Sequence, residues 1–281
     1  MQPAIGMTLL WLLFIGTHVG LGTAAVRRRA VARLGEWTFT LLFSLVAAVL
    51  FTWAVWFYAD HRAEGWAGLA LGGSPLVRGG LMMAIVLGIV LATASFESYS
   101  RSPYSLFSGR SGAPRGIERI TRHPFFAGVV LVFGAHALLA GRLIGTIFAL
   151  GFVCLAVFGA WHQDRKYLAR KGEAYAAYLR VTSTVPFGAI LAGRQQFVWR
   201  ELPARALAGG VAVAVALRAV HDSILTTHGM WFSAAVVGGA ALITLETWLR
   251  VRRQAAKSPG SVAAEPQTGD QPLRADGVSH G

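Results

Sequence analysis

Blocks of about twenty apolar residues recur along this chain, and they constrain it more than any other feature. A helix needs roughly 20 such residues to cross the hydrocarbon core of a bilayer. The blocks run from about Ala4 to Val26, Trp37 to Tyr58, Gly79 to Ser98, Pro124 to Ala140, Leu143 to His162, Ala204 to Val220 and Trp231 to Leu249. Strand-type alternation is absent from them, which favours helices over a membrane barrel. The expected fold is all-α, a polytopic transmembrane helical bundle of about seven spans (six to seven). The chain is 54% hydrophobic and only 14% charged, a balance that excludes an ordinary soluble domain.

The net charge of +13 would by itself suit a nucleic-acid partner. Its distribution points to lipid and to no nucleic acid. Arg27, Arg28, Arg29 and Arg33 follow the first block. Arg101, Arg110, Arg115, Arg119 and Arg122 lie between the third and fourth. A further basic run from Arg165 to Arg205 follows the fifth, and Arg250, Arg252, Arg253 and Lys257 follow the seventh. The alternate loops hold only Arg62, Arg78 and Arg142. This positive-inside pattern puts the N-terminus outside and the C-terminus in the cytoplasm, and predicts a multi-pass protein of the inner (cytoplasmic) membrane. The basic loops then face anionic headgroups. The first block has neither a basic leader nor a small-residue cleavage site, so it reads as a retained helix.

The chain is expected to divide into a transmembrane region over 1–200, two further transmembrane helices over 201–250, and a disordered cytoplasmic tail over 251–281. Within the first region, the stretch near 163–180 carries an apolar stripe of Tyr167, Leu168, Tyr175, Tyr178 and Leu179, as an interfacial helix would. Tyr99 to Gly116 reads as a polar Gly/Ser/Pro loop.

Two of the eight histidines, His18 and His136, lie well inside predicted spans. An ionisable residue inside a membrane is a functional candidate by default. Measured from the same face, His18 is about 12 Å deep and His136 about 18 Å at helical rise. At similar depth they can be polar glue between helices, or they can grip one metal from two sides. His123 stands at the mouth of the fourth block beside Arg122, and Pro124 starts that helix where a missing N–H is harmless. Asp164 and Arg165 can pair with one another. Trp53, Trp56, Phe96 and Phe126 are either the lining of an apolar pocket or anchors and packing. Cys154 has no partner for a disulfide and reads as buried packing.

Four segments carry a resemblance: "GTHVGLGTAAVRRRAVARLGEWTFTLLFSLVA", "RITRHPFFAGVVLVFGAHALLAG", "FGAWHQDRKYLARKGEAYAAYL" and "TSTVPFGAILAGRQ". In this order and spacing they resemble the NnrU family, which includes a plant ζ-carotene isomerase. The resemblance implies haem b, held by His18 and His136, and a cis–trans isomerase acting on a hydrophobic polyene such as a carotenoid. It also implies a denitrification or nitric-oxide role, with a small gas as substrate. A cysteine three residues before the second ligand, present in the plant enzyme, is Phe133 here.

A second likeness is to membrane methyltransferases of the isoprenylcysteine carboxyl methyltransferase type. It rests on "RHPFFAG", "GEAYAAY" and "VPF", and implies S-adenosylmethionine bound near Arg122, His123, Pro124, Gly128, Tyr175 and Tyr178. The acidic pair of those enzymes is reduced here to Asp164. A third reading is a non-enzymatic haem sensor or assembly factor, which six-coordinate iron would suit.

Overall fold

The computed structural model describes residues 2–99 and 113–257. Eleven α-helices lie within those residues: α1 (Pro3–Gly22), α2 (Ala24–Leu34), α3 (Glu36–His61), α4 (Pro75–Tyr99), α5 (Ile117–Ile120), α6 (Pro124–Leu139), α7 (Leu143–Lys171), α8 (Glu173–Val181), α9 (Gly188–Leu191), α10 (Ala204–Ala219) and α11 (Met230–Lys257). No strand occurs among the described residues, in agreement with the all-α expectation. The chain divides into two compact units, Met1–Ser233 and Ala234–Gly281, and the second contains most of α11.

Four helices, α1, α3, α4 and α7, are long and apolar enough to cross a membrane. The other three expected spans fall on α6, α10 and α11. The first of these is a shorter apolar helix of 16 residues, and α10 is also 16 residues long. Sixteen residues rise only about 24 Å, less than the roughly 30 Å of a hydrocarbon core.

The predicted boundaries shift where local chemistry intervenes. The first block breaks at Thr23, whose extended backbone (φ −63°, ψ 142°) ends α1 at Gly22. The arginines beyond it form the separate α2. At the other extreme, α7 runs past His162 to Lys171 and stops at Gly172, whose φ of +53° a side chain resists. The expected interfacial helix is therefore split: its first part extends α7, and α8 supplies the rest. Helix α11 continues to Lys257, into the start of the expected tail. The remainder of the tail and most of the loop from Tyr99 to Gly116 lie outside the described residues.

Neighbours in the first unit form a row, with α10 on α4, α4 on α6, α6 on α7, α7 on α1 and α1 on α3. Between α4 and α6 the backbones touch. A Cβ on Gly128 would come within 2.4 Å of the Gly88 carbonyl oxygen, and one on Gly88 within 2.6 Å of the Gly128 oxygen. Small residues at such crossings let membrane helices gain dispersion contacts that bulkier ones forbid. Between α1, α3, α6 and α7 the filling is aromatic. Phe152 meets Trp11 at 5.1 Å, Phe51 at 5.9 Å, Phe148 at 5.3 Å and Phe133 at 4.0 Å between ring centroids. Gly151 makes room for this seam, since a Cβ there would sit 2.0 Å from Trp11 Cε2.

The end of the bundle away from the arginine-rich loops is held by backbone bonds. Gly68 donates to Gly141, Ala70 to Ala140 and Leu143 to Trp66, which laces the α3–α4 loop to the α6–α7 turn. Gln2 and Pro3 lie against Gly65 in that same loop.

The tight crossing makes a clear prediction. Gly128→Ala forces backbone apart and should cost roughly 1–3 kcal/mol. Gly134→Ala on the same helix, with open space around its Cβ, should not lower stability. Thermal midpoints of the two variants in detergent test this.

Candidate functional site

The arginine-rich end contains a dense polar cluster centred on Asp164 in the last turns of α7. Arg122 donates from Nε (3.0 Å) and from Nη2 (2.7 Å) to Oδ2. His123 Nε2 lies 2.9 Å from Oδ1, and the Tyr175 hydroxyl donates to the same oxygen at 2.8 Å. Both Arg122 donors share one oxygen, and such charge-assisted hydrogen bonds are stronger than neutral ones. The surroundings are dry, with His123 3% exposed and Tyr175 0% exposed. The tautomer follows from the geometry, because a proton on His123 Nε2 is what a carboxylate oxygen accepts.

The local fold explains why these groups meet. Pro124 occupies the first turn of α6, so His123 and Arg122 come from the extended segment just before it. That segment is pinned by Arg122 N–H to the Ser183 oxygen, Phe187 N–H to the Ile120 oxygen and Thr121 Oγ1 to the Thr184 oxygen. Asp164 arrives because α7 continues beyond its apolar stretch, and Tyr175 because Gly172 turns the chain back into α8. Tyr178 packs beside Tyr175, and burial pushes its hydroxyl pKa up.

A second clamp positions α5. Arg119 forks onto Glu201 (Nε to Oε2 2.8 Å, Nη2 to Oε1 3.0 Å), and Gly116 N–H donates to Glu201 Oε2 at 2.9 Å. The Arg119 hydrogen bonds, then the Gly116 amide, bring the Glu201 carboxyl down from 4.5 to about 2.

The residues singled out from sequence fall into separate places. Arg122 and His123 are brought together, and the partner they share is Asp164. Asp164 does not turn to Arg165, whose guanidinium lies over the Trp161 ring at 4.6 Å. Arg122, His123 and Tyr175, the polar groups the methyltransferase likeness would offer to a cofactor, all bond one carboxylate. Trp53, Trp56 and Phe96 are exposed on the bundle surface, as anchors would be, while Phe126 packs against Gly159 and His123. Cys154 is exposed and not buried packing.

His18 stacks on Phe14 (5.4 Å between centroids) and meets Phe43 (5.0 Å), and its Nδ1 is buried without a hydrogen-bond partner. His136 directs Nδ1 to the Val132 carbonyl at 2.7 Å. Both side chains are half-buried in apolar helices, His18 in α1 and His136 in α6.

Two features had no sequence signal. The seam of Trp11, Phe51, Phe133, Phe148 and Phe152 looks like any apolar span until the helices are packed. His221 follows directly on the sixth expected span, and its ring centroid lies 6.2 Å from that of His136.

The family model described as NnrU protein matches residues 6–229. This chain belongs to the NnrU family. The matched span includes His18, His136 and every member of the Asp164 cluster. Two curated relatives are the chloroplastic 15-cis-zeta-carotene isomerases of Arabidopsis thaliana and Zea mays. The first is 31% identical over 201 residues, 69% of this chain and 52% of the relative. The second is 30% identical over 199 residues, 68% of this chain and 51% of the relative. The chain thus spans about half the length of the curated relatives it matches. No solved structure matches it.

Two predictions come from this end. Asp164→Ala leaves a partly buried guanidinium and the buried His123 without their shared carboxylate and should cost roughly 3–5 kcal/mol, whereas Tyr175→Phe removes one bond to the carboxylate and should cost roughly 1.5–3 kcal/mol. Denaturation midpoints in detergent should rank wild type above Tyr175→Phe, and Tyr175→Phe above Asp164→Ala. The second concerns pH. The Glu201 carboxyl is depressed in the folded state, so its clamp is fully present above about 4.5 and is lost as pH falls toward about 2. Exchange protection of the Gly116 amide, corrected for intrinsic rate, should fall across that window, and Glu201→Gln should flatten the response.

Proposed function

We propose that this NnrU-family chain is an integral membrane isomerase acting on a hydrophobic cis polyene of the carotenoid type. The observation that carries the reading is the 31% identity over 201 residues to a 15-cis-zeta-carotene isomerase. The packing is compatible with it. Moving a double bond from cis to trans transfers no group, so the protein has to hold an apolar chain on both sides of that bond and keep water away. The seam between α1, α3, α6 and α7 offers aromatic faces for such a chain, and the apolar helices let it arrive from lipid. The Asp164 cluster would fix the start of α6 and thereby the depth of Phe126 and Phe133.

Haem b between His18 and His136 is the cofactor that family resemblance implies, and it would supply redox-active iron. A nitric-oxide-related role would need a metal with an open position.

The test is direct. Protein in liposomes is incubated with 15-cis-ζ-carotene, with and without haem and reductant, and the isomers are separated chromatographically. We expect loss of the 15-cis form, slowed about tenfold in Phe152→Ala, a change of about 1.4 kcal/mol in barrier. An unchanged isomer pattern under every condition would remove the isomerase reading.

A further inference from the structure

We propose that residues 185–205 form a membrane anchor at the arginine-rich end, with apolar side chains set among acyl chains just below anionic lipid headgroups and arginines set on the lipid phosphates. The proposal rests on the chain being a membrane protein and does not depend on the isomerase reading.

The interfacial helix expected near 163–180 turns most of its apolar stripe inward. Tyr167, Tyr175 and Tyr178 form a buried cluster, with Leu179 packed on it. The stretch that follows does the reverse. Leu191 is 86% exposed, Trp199 75% and Val185 67%, and Phe187 is exposed as well. The Phe187 ring centroid lies 6.2 Å from that of Phe197, and the Phe197 centroid 4.5 Å from that of Trp199, so these rings form one continuous row. A contiguous exposed apolar patch marks an interaction surface.

The stretch is firmly built. Phe187 N–H donates to the Ile120 oxygen at 2.8 Å, and Arg194 Nη1 donates to the carbonyl oxygens of Arg180 (2.8 Å) and Thr182 (3.2 Å). Arg119 Nη1 donates to Gln195 Oε1 at 2.8 Å, and Ala189 between these points is fully buried. Phe187 has a φ of +60°, a region that a bulky side chain resists, so these bonds hold the turn against strain.

Position and charge name the occupant. The bonds to Ile120, Thr121 and Arg122 set the stretch level with the residues just before α6, where that apolar helix begins. At this level Phe125 in the first turn of α6 and Phe96 near the end of α4 are exposed and 6.1 Å apart, as aromatic residues of a membrane interface are. Between residues 174 and 221 the sequence holds a single acidic residue, Glu201, and that carboxylate is bound by Arg119 and Gly116. Arg200 and Arg205 are exposed on either side of it. Apolar and aromatic side chains flanked by arginines are what a segment lying in the interface presents. Arginines at that depth are drawn to anionic headgroups.

The test places a nitroxide label at Leu191→Cys and, separately, at Ala174→Cys beside the exposed Glu173, both in a Cys154→Ser background. A third label goes on the native Cys154, which is exposed on α7. Size-exclusion profiles and circular dichroism verify folding, and full-length protein is reconstituted in phosphatidylcholine vesicles with and without phosphatidylglycerol. Power saturation compares access of oxygen, which dissolves in lipid, with access of a water-soluble nickel chelate. We expect the oxygen-to-nickel ratio to be about tenfold higher at Leu191 than at Ala174, as for a side chain roughly 5–10 Å below the headgroups. The ratio should rise when phosphatidylglycerol is added, and Arg200→Gln with Arg205→Gln should abolish that rise. Equal ratios at Leu191 and Ala174, with Cys154 in oxygen-rich hydrocarbon, overturn the anchor alone. A Cys154 label open to nickel overturns the membrane reading with it. A ratio indifferent to phosphatidylglycerol overturns the phosphate contact. Dipolar broadening between Leu191 labels that disappears on dilution with unlabelled protein puts a second copy on the patch, and overturns the lipid assignment.

Discussion

The carboxylate of Asp164 is the point on which the arginine-rich end depends. It accepts from Arg122 and His123, just before α6, and from Tyr175 in α8. Taking these groups out of water is costly, and only their mutual bonding compensates. Once that bonding is complete, the start of α6, the end of α7 and the body of α8 are fixed relative to one another. Because α6 is only 16 residues long, fixing its start fixes the depth of everything it carries. The polar cluster thus sets the apolar interior, although it touches little of it.

The interior itself is built from two kinds of contact. Between α4 and α6, glycine lets main chain lie on main chain. Between α1, α3, α6 and α7, large rings stack and abut around Phe152. The first kind specifies a separation, and the second fills a volume. A hydrophobic ligand can compete with the second by displacing or turning rings, but it has no foothold in the first. The isomerase reading therefore looks to the seam.

Much of the fold was legible in the sequence because burial in lipid demands helices and leaves a length signature. The four long apolar helices appear where the blocks are, and Pro124 and Gly172 mark a helix start and stop as their backbone chemistry requires. The break at Thr23 was not legible, since nothing in "GLGTAAV" forbids a continuing helix. Of the site, Arg122 and His123 were picked by motif, but their partner was not. Asp164 stands beside Arg165 in sequence, and sequence neighbours mislead when a helix turns them to different faces. Register was the largest gap. How α1 and α6 dock on α7 turns on Trp11 against Gly151 and on Phe133 against Phe152, contacts that no single segment encodes.

The backbone contact at Gly88 and Gly128 also bears on motion. Where side chains intervene between two helices, one can slide past the other as rotamers change. Where carbonyl oxygens lie against the facing glycine, sliding would drive main-chain atoms into each other. Helices α4 and α6 are thereby joined as a rigid body that resists shear, and whatever breathing the bundle performs must occur across its aromatic side. A hydrophobic guest entering from the bilayer would meet a stiff wall on one flank and a yielding one on the other.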